Sequence, residues 1–211
     1  MGKEIIIVGC GPGNADLVTL RGKRAIEEAD LVVGSKRLLT YFVTGKRVKT
    51  VPLESNYQDV LEEVDKMTEG KRVVFLVSGD PMFYSLGEAV IKKFGKDNCE
   101  IIPGVTSFQY AFCRLRESWK DYRVFSLHGV KDADINKIFK ENYRFVLLLD
   151  PKHNLKFIKK NIRPLYKERY TFYVASNLSM EVENISNISL NDFDNLPEES
   201  LSLLIVRRED E

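Results

Sequence analysis

Hydrophobic positions alternate along the chain between short uncharged runs and longer segments in which apolar residues recur every three or four positions. The runs are typical of strands buried in a parallel sheet, and the periodic segments are typical of helices with one buried face. Because parallel neighbours need a crossover helix, this alternation predicts a doubly wound α/β lobe. The predicted strands lie at 4–8, 31–33, 46–51, 73–77 and 100–102, and the predicted helices at 19–29, 57–70, 85–94 and 107–115.

The second half of the chain is richer in strands. A charged and aromatic stretch at 116–122 separates it from the first half, so we expect an N-terminal doubly wound α/β lobe at 1–115 and a C-terminal mixed-sheet α/β lobe at 116–211. The C-terminal pattern predicts strands at 123–127, 145–149, 171–175, 184–190 and 201–206 and one helix at 154–160.

Sharp turns follow three of the apolar runs. The run at 73–77 stops at Ser78-Gly79-Asp80-Pro81, the first run stops at the glycine-rich segment 9–13, and a third turn is Pro103–Ser107. Ligands of open α/β sheets bind outside the carboxyl ends of the strands, so these turns are candidate site loops. An ordinary strand-to-helix turn at 78–81 is the alternative interpretation.

Composition and charge narrow the function classes. The chain has 211 residues, 44% of them hydrophobic, and a formal net charge of +1, which argues against a general nucleic-acid binder. It has no uncharged apolar segment long enough to span a membrane, and its N-terminus looks like a strand rather than a signal peptide, so we expect a cytoplasmic protein without a membrane partner. Three scattered cysteines and two histidines predict neither a disulfide framework nor a bound metal.

Familiar catalytic motifs fail on spacing. A dinucleotide fingerprint needs a third glycine at position 14, where the chain has Asn14, and no glycine-lysine pair is followed by the serine or threonine of a phosphate-binding loop. No GxSxG elbow is present, although Ser126 lies near His128. The aromatic pair Phe83 and Tyr84 either packs in the core or forms a wall for a flat ligand.

In combination, the segments 8–39, 77–87 and 101–115 resemble the tetrapyrrole methylase family, which has GxGPG, GDP and PGVTS in this order. Within the family, GSKRLL, SLHG at 126–129 and the pair Trp119 and Asp121 are similar to the branch that methylates carbon 5 of precorrin-7 or its cobalt form. That branch commonly has arginine after SLHG. Here Val130 and then Lys131 follow.

The resemblance implies a fold of two α/β lobes with a cleft between them for S-adenosylmethionine, and a homodimer. For the mechanism that this family implies, Tyr84 and His128 are our candidate catalytic residues that orient the ring, and Arg37, Arg114 and Lys131 are our candidate partners of the substrate carboxylates. Cobalt, if present, belongs to the substrate. Carried over by motif, the cofactor contacts are Gly11, Pro12, Gly79, Asp80, Met82, Phe83, Thr106, Ser107, Leu149 and Asn177.

The implied activity is a step of cobalamin biosynthesis that converts (cobalt-)precorrin-7 to (cobalt-)precorrin-8. The meso carbon of the corrin precursor is itself the nucleophile, so the attack needs no general base, and the protein has to align the reactants in a dry cleft. A separate decarboxylating carbon-15 methyltransferase is the expected pathway partner. The alternatives are a sister methylase, such as uroporphyrinogen methyltransferase or diphthine synthase, and a binding protein without turnover.

Overall fold

The structure of the chain, a computed structural model, describes residues 4–43, 45, 48–54, 56–163, 170–196 and 201–208. It divides into two compact units, Met1–Ser107 and Phe108–Glu211. The division falls at Ser107 rather than at residue 115, where we had placed it from composition. Within the described residues, no helix has both the length and the apolar character needed to cross a bilayer.

The first unit is an open α/β sheet in which all five strands are parallel, in the order β3-β2-β4-β1-β5. This confirms the predicted doubly wound fold. In chain order its elements are β1 (Glu4–Gly9), α1 (Leu20–Glu27), β2 (Leu31–Gly34), α2 (Lys36–Val43), β3 (Lys49–Pro52), α3 (Tyr57–Asp65), β4 (Arg72–Val77), α4 (Gly87–Phe94) and β5 (Cys99–Ile102), and α5 (Ser107–Leu115) begins at the division between the units.

Helices cover both faces of this sheet. Successive side chains of a strand point to opposite faces, so Ile5 and Ile7 pack with α3 and α4, whereas Ile6 and Val8 pack with α1 and α2. Burial on both faces explains why β1 and β4 carry almost uninterrupted apolar runs.

The second unit has a mixed sheet in the order β6-β7-β10-β8-β9, in which only β6 and β7 pair in parallel. Its core is aromatic, and the buried Tyr170 hydroxyl donates to the Phe139 carbonyl at 2.7 Å. The elements are β6 (Arg123–Ser126), α6 (Ile135–Glu141), β7 (Arg144–Leu148), α7 (Leu155–Asn161), β8 (Tyr170–Ser176), β9 (Asn184–Ile188) and β10 (Ser202–Arg208).

Two helices, α2 and α6, were not predicted. Helix α6 turns only Ile135 and Phe139 into the core from an otherwise charged segment, whereas α2 buries Leu38, Phe42 and Val43. The structure also supplies their caps, in which Ser35 accepts from the Leu38 amide at 3.3 Å and Asp134 accepts from the Lys137 amide at 2.9 Å.

Helix α3 is shorter than predicted. It ends at Asp65 rather than at Gly70. The Thr68 hydroxyl donates to the Asp65 carbonyl at 2.9 Å, and this side-chain bond competes with the backbone bond that would continue the helix. The predicted strand 46–51 is found at Lys49–Pro52, and its first two residues, Lys46 and Arg47, lie outside the described residues.

Candidate functional site

The carboxyl ends of β1 and β4 form the topological switch point of the first sheet. The chain leaves β1 into α1 on one face and leaves the neighbouring β4 into α4 on the opposite face. Connections that diverge in this way open a crevice between the strand ends, where α/β proteins bind their ligands. The loops at 9–13 and 78–81 both lie at this point.

Backbone hydrogen bonds join these two loops. The Gly79 amide donates to the Gly11 carbonyl at 2.9 Å, and the Gly11 amide donates to the Gly79 carbonyl at 3.4 Å. The φ angles are 69° at Gly11 and 65° at Gly79, in the left-handed region that glycine adopts at the lowest cost. The two glycine motifs therefore form one continuous backbone surface.

The loop at 103–107 contacts the same surface. A Cβ on Gly104 would lie 2.3 Å from the Gly79 carbonyl oxygen, and a Cβ on Gly9 would lie 2.6 Å from the Gly104 nitrogen. No side chain fits at such distances, so glycine is needed for the three backbones to approach each other. The structure thus brings together the three loops that the sequence predicted separately.

Asp80 holds two of the loops in register. One carboxylate oxygen accepts from the Met82 amide at 2.9 Å, and the other accepts from the Gly104 amide at 3.1 Å. An aspartate that bonds an amide two residues further on forms a local turn. These two bonds give Asp80 a shaping role in the loops, and its predicted cofactor contact stays a prediction.

An apolar wall lies beside the loops. Met82 and Tyr84 are 47% and 59% exposed, and the Tyr84 ring meets the Phe83 ring edge-on with 4.8 Å between centroids. Tyr84 has a φ of 46°, an uncommon conformation that costs free energy and is frequent at ligand sites. With Ser85 and Glu88 these residues line an open pocket of about 460 Å³, which offers a flat surface to an aromatic ligand.

Arg37 reaches the same edge of the sheet from the first turn of α2. Its Nη2 donates to the Ser78 hydroxyl at 2.8 Å, whereas its Nη1 is buried without an acceptor. Burial lowers the pKa of Arg37. Among the predicted contacts of the first unit, Thr106 is buried beside the loops, Pro12 is half-buried and Ser107 is the first residue of α5.

In the second unit, both histidines lie near the carboxyl ends of the parallel strands β6 and β7. His128 is exposed, its Nδ1 lies 3.3 Å from the Ser126 hydroxyl, and desolvation of its ring lowers its pKa. His153 is buried, with its Nδ1 3.0 Å from Asp150 Oδ1. Burial alone would raise the pKa of Asp150, but hydrogen bonds and the charge from His153, with a further bond from the Lys152 amide, hold it below its usual value.

Sequence reasoning did not find His153 or Asp150. The only sequence signal was that both residues, in the segment Asp150-Pro-Lys-His153, directly follow the predicted strand at 145–149. Whether the chain turns back to bring the two side chains together depends on the local fold. The described residues contain no group of three or more His, Cys, Asp or Glu side chains arranged to hold a metal ion.

The turn after β8 contains two non-glycine residues with positive φ, Asn177 at 49° and Ser179 at 64°. Glu183 holds this turn, since its carboxylate accepts from the Ser179 amide at 2.7 Å and from Arg114 Nε at 2.7 Å. Arg114, predicted to meet the substrate, is therefore already paired with an anion.

The remaining predicted residues, Leu149 and Lys131, differ in exposure. The Leu149 side chain is buried, and its amide donates to the Ser202 carbonyl at 3.1 Å. Lys131 is exposed after the turn at Gly129, which has a φ of 72°.

Taken together, the parallel sheet and the glycine loops at its switch point define an open α/β protein with a candidate ligand site built from backbone groups. The family model for tetrapyrrole (corrin/porphyrin) methylases matches residues 4–194. The chain therefore belongs to the tetrapyrrole methylase family, as its motifs predicted.

Individual relatives agree with this assignment. The chain is 36% identical over 199 residues to a probable cobalt-precorrin-7 C(5)-methyltransferase of Methanocaldococcus jannaschii, a match that covers 90% of this chain and 92% of the relative. It is 29% identical over 184 residues to the cobalt-precorrin-7 C(5)-methyltransferase of Salmonella typhimurium, covering 86% of this chain and 88% of that one.

Solved structures share the fold. A precorrin-6Y methylase of Archaeoglobus fulgidus superposes with a TM-score of 0.76 and 25% identity, over 99% of this chain and 100% of that one. A uroporphyrin-III C-methyltransferase of Thermus thermophilus, solved with S-adenosylhomocysteine, has a TM-score of 0.77 and 20% identity, covering 97% of each chain. At that identity the second likeness concerns the fold alone.

Proposed function

We propose that the protein is an S-adenosylmethionine-dependent methyltransferase of cobalamin biosynthesis that methylates carbon 5 of precorrin-7, or of its cobalt form, to give the corresponding precorrin-8. The observation that carries this proposal is the 36% identity to an archaeal C(5)-methyltransferase over 90% of the chain. The SLHG segment and the Trp119 and Asp121 pair support the same branch of the family.

The loops of the first unit fit S-adenosylmethionine. This ligand combines a charged amino-acid end with an apolar sulfonium and a flat base, and the loops combine backbone amides and a buried threonine with an exposed apolar wall. The T. thermophilus relative was solved with the demethylated form, S-adenosylhomocysteine. We assign the cofactor to the residues of the first unit that the motifs indicate, namely Gly11, Pro12, Gly79, Asp80, Met82, Phe83, Thr106 and Ser107. The contacts of Leu149 and Asn177 stay predictions.

For carbon 5 to attack the methyl group, the two reactants have to be oriented, and this matters more than help from an acid or a base. S-adenosylmethionine supplies an electrophilic methyl group, and carbon 5 of the macrocycle supplies the electron pair. The apolar wall at Met82, Phe83 and Tyr84 excludes water and orients the ring. Holding reactants in line in this way is worth roughly 7–11 kcal/mol of the barrier in well-oriented systems.

A proton has to leave carbon 5 after the methyl group has been added, because only its loss restores the conjugation of the ring. We assign its acceptance to His128 at Nε2, in the tautomer whose Nδ1–H donates to the Ser126 hydroxyl 3.3 Å away. The lowered pKa keeps this imidazole neutral near pH 7, the form that accepts a proton. Tyr84 acts by orienting the ring.

The protein's assembly and setting are part of the proposal. We propose a cytoplasmic homodimer that works before or after a separate decarboxylating carbon-15 methyltransferase. The cysteines Cys10, Cys99 and Cys113 are free thiols, in agreement with a reducing compartment.

Relatives with other substrates match less of the chain. The cobalt-precorrin-4 C(11)-methyltransferase of M. jannaschii is 37% identical, but over 54% of this chain, and the uroporphyrinogen-III C-methyltransferase of the same organism is 38% identical over 49%. Similar identity over half the length is expected if family members that methylate different acceptors share part of the fold. The full-length match therefore favours the carbon-5 acceptor.

Mass spectrometry tests the proposal. The purified protein is incubated with S-adenosylmethionine and either precorrin-7 or cobalt-precorrin-7, and the expected product has gained one methyl group and lost no carbon dioxide. A variant at an exposed residue outside the loops, Asp97→Ala, serves as the positive control. Methylation of uroporphyrinogen III in place of both corrin precursors would assign the protein to a sister activity, and cofactor binding without methylation of any acceptor would make it a binding protein.

A further inference from the structure

The Arg37 guanidinium lies at the switch-point edge of the first sheet. The chain ends β2 at Gly34 and enters α2 at once, so Arg37 is placed in the first helical turn above the carboxyl ends of the strands. Strand β2 pairs with β4, whose end continues into Ser78. The side chain crosses this distance and donates from Nη2 to the Ser78 hydroxyl at 2.8 Å.

One edge of this guanidinium has no acceptor among the residues that the structure describes. Nη1 is buried and makes no hydrogen bond, and the groups whose charge the guanidinium senses are the Cys10 thiol and the Tyr41 phenol. Burial raises the pKa of the Cys10 thiol to about 12, so this group is neutral. A buried donor on a charged group costs free energy until an acceptor pairs with it, and a carboxylate meets a guanidinium with the best geometry.

Two other cations that bear on the site already have anionic partners. The neighbouring Lys36 pairs with Glu54 at 2.5 Å, and Arg114 pairs with Glu183 at 2.7 Å. Within the part of the chain that the structure describes, no carboxylate is recorded in an ion pair with Arg37. Arg37 contacts Ser78 of the loop at 78–81, and its charge is available for a ligand.

We propose that Arg37 binds a carboxylate of the ligand through its free Nη1 edge, while Ser78 holds the other edge in place. This rests on the proposed function, in which two carboxylate sources reach the site: the amino-acid end of S-adenosylmethionine and the acetate and propionate groups of the macrocycle. Arg37 is thus a specificity-determining residue, and Ser78 is a positioning residue.

Two binding measurements separate the sources. S-adenosylhomocysteine is titrated by calorimetry, and cobalt-precorrin-7 by its absorbance, into the wild type and Arg37→Met. Loss of a charge-assisted hydrogen bond weakens binding by roughly 10- to 100-fold. A loss confined to S-adenosylhomocysteine assigns the carboxylate to the cofactor, and a loss confined to cobalt-precorrin-7 assigns it to the macrocycle.

Control variants separate this role from a structural one. Lys36→Met removes the adjacent, exposed cation and should leave both affinities unchanged. Ser78→Ala should lower the affinity for the same ligand by less than Arg37→Met does. The proposal is overturned if Arg37→Met binds both ligands as tightly as the wild type does. It is also overturned if Ser78→Ala loses as much affinity as Arg37→Met, or if the melting temperature of Arg37→Met falls by several degrees.

The proposed function and the role of Arg37 can fail independently of each other. If the wild type binds both ligands but forms no methylated product, the proposed function fails and the titrations still decide the role of Arg37. If the wild type binds neither ligand, both proposals fall.

Discussion

Single side chains at this site act mainly by shaping the backbone. Asp80 bonds two amides from different loops, and Arg37 fixes Ser78 while keeping one edge free. Their residue types were readable from the sequence. Their partners were not, because Asp80 and Gly104 are 24 residues apart and Arg37 and Ser78 are 41 apart.

We expect Asp80→Ala to lower the free energy of unfolding by about 1–3 kcal/mol, because two amides lose their acceptor. S-adenosylhomocysteine should bind at least tenfold more weakly, since the loops lose their register. Asp80→Asn keeps one acceptor oxygen and should lie between the wild type and Asp80→Ala. Chemical denaturation and calorimetry measure both quantities, and unchanged affinity in Asp80→Ala would remove Asp80 from the site.

His128 gives the reaction a pH dependence. Partial desolvation of its ring lowers its pKa below the ordinary 6.5, so the ring is neutral at pH 7 and becomes protonated only as the pH falls through the lowered value. The kcat should therefore decline on the acid side with a midpoint below 6.5. His128→Gln should reduce kcat by roughly 10²–10⁴-fold and abolish this acid limb.

The matched control for His128 is the other histidine. His153→Asn should retain the acid limb, because His153 is buried against Asp150 and has no part in the proposed proton transfer. A kcat profile of His128→Gln that still declines with the same midpoint would count against the assignment.

At the level of elements, the site depends on how closely three strand ends approach each other. Gly9, Gly79 and Gly104 belong to loops after β1, β4 and β5, and their backbones leave no room for a Cβ at Gly9 or Gly104. The glycines were visible in the sequence as turn signals. The reason for them, contact between loops, depends on the strand order, which places β1 between β4 and β5.

We expect Gly104→Ala to separate the loops, because its Cβ would lie 2.3 Å from the Gly79 carbonyl oxygen. The variant should lose about 1–3 kcal/mol of stability and most of its affinity for S-adenosylhomocysteine. Gly70→Ala is the control, since the space around Gly70 is open and only its φ of 66° opposes alanine. Wild-type affinity in Gly104→Ala, measured by calorimetry, would show that the loops tolerate separation.

The turn after β8 supplies a second prediction at this scale. Burial alone would raise the pKa of Glu183, but hydrogen bonds from the Ser179 amide, Arg114 and Tyr110 hold it below the usual 4.5. The folded state therefore gains stability from this carboxylate above pH 4.5, and loses it as the pH falls through the lowered pKa. Glu183→Gln should be less stable than the wild type at pH 7, and the difference should shrink in acid.

Melting curves of Glu183→Gln and the wild type from pH 7 to pH 3 check this expectation. Asp97→Ala, at an exposed turn, serves as the control and should follow the wild type throughout. A difference between Glu183→Gln and the wild type that stays constant with pH would mean that the carboxylate does not hold the turn through its charge.

For the whole molecule, each of the two units has a core of its own. The first buries two aliphatic layers around a parallel sheet, and the second buries a cluster of aromatic rings on a mixed sheet. Large apolar side chains remain on the surface of both, including Leu20 at 73% and Val182 at 69% exposure. Single exposed apolar side chains are normal on protein surfaces, so the expected homodimer rests on the family resemblance.

We expect the protein to be a homodimer in solution. Light scattering coupled to size-exclusion chromatography should give twice the 24.3 kDa of one chain. The dimer should persist at 0.5 M salt, because association through apolar surface is little screened by ions. A species of 24.3 kDa at every concentration would rule the homodimer out.

The sequence by itself determined all the elements except α2 and α6, together with the three loops, because strand and helix periods, caps and glycine turns are local properties of the chain. Its motif order was also enough to predict the family. Only the tertiary structure decided that the loops touch, that Asp80 spans two of them, that Arg114 is already paired and that Arg37 keeps a buried donor without an acceptor. These contacts join residues far apart in the chain, and strand order and side-chain packing, rather than spacing, bring them together.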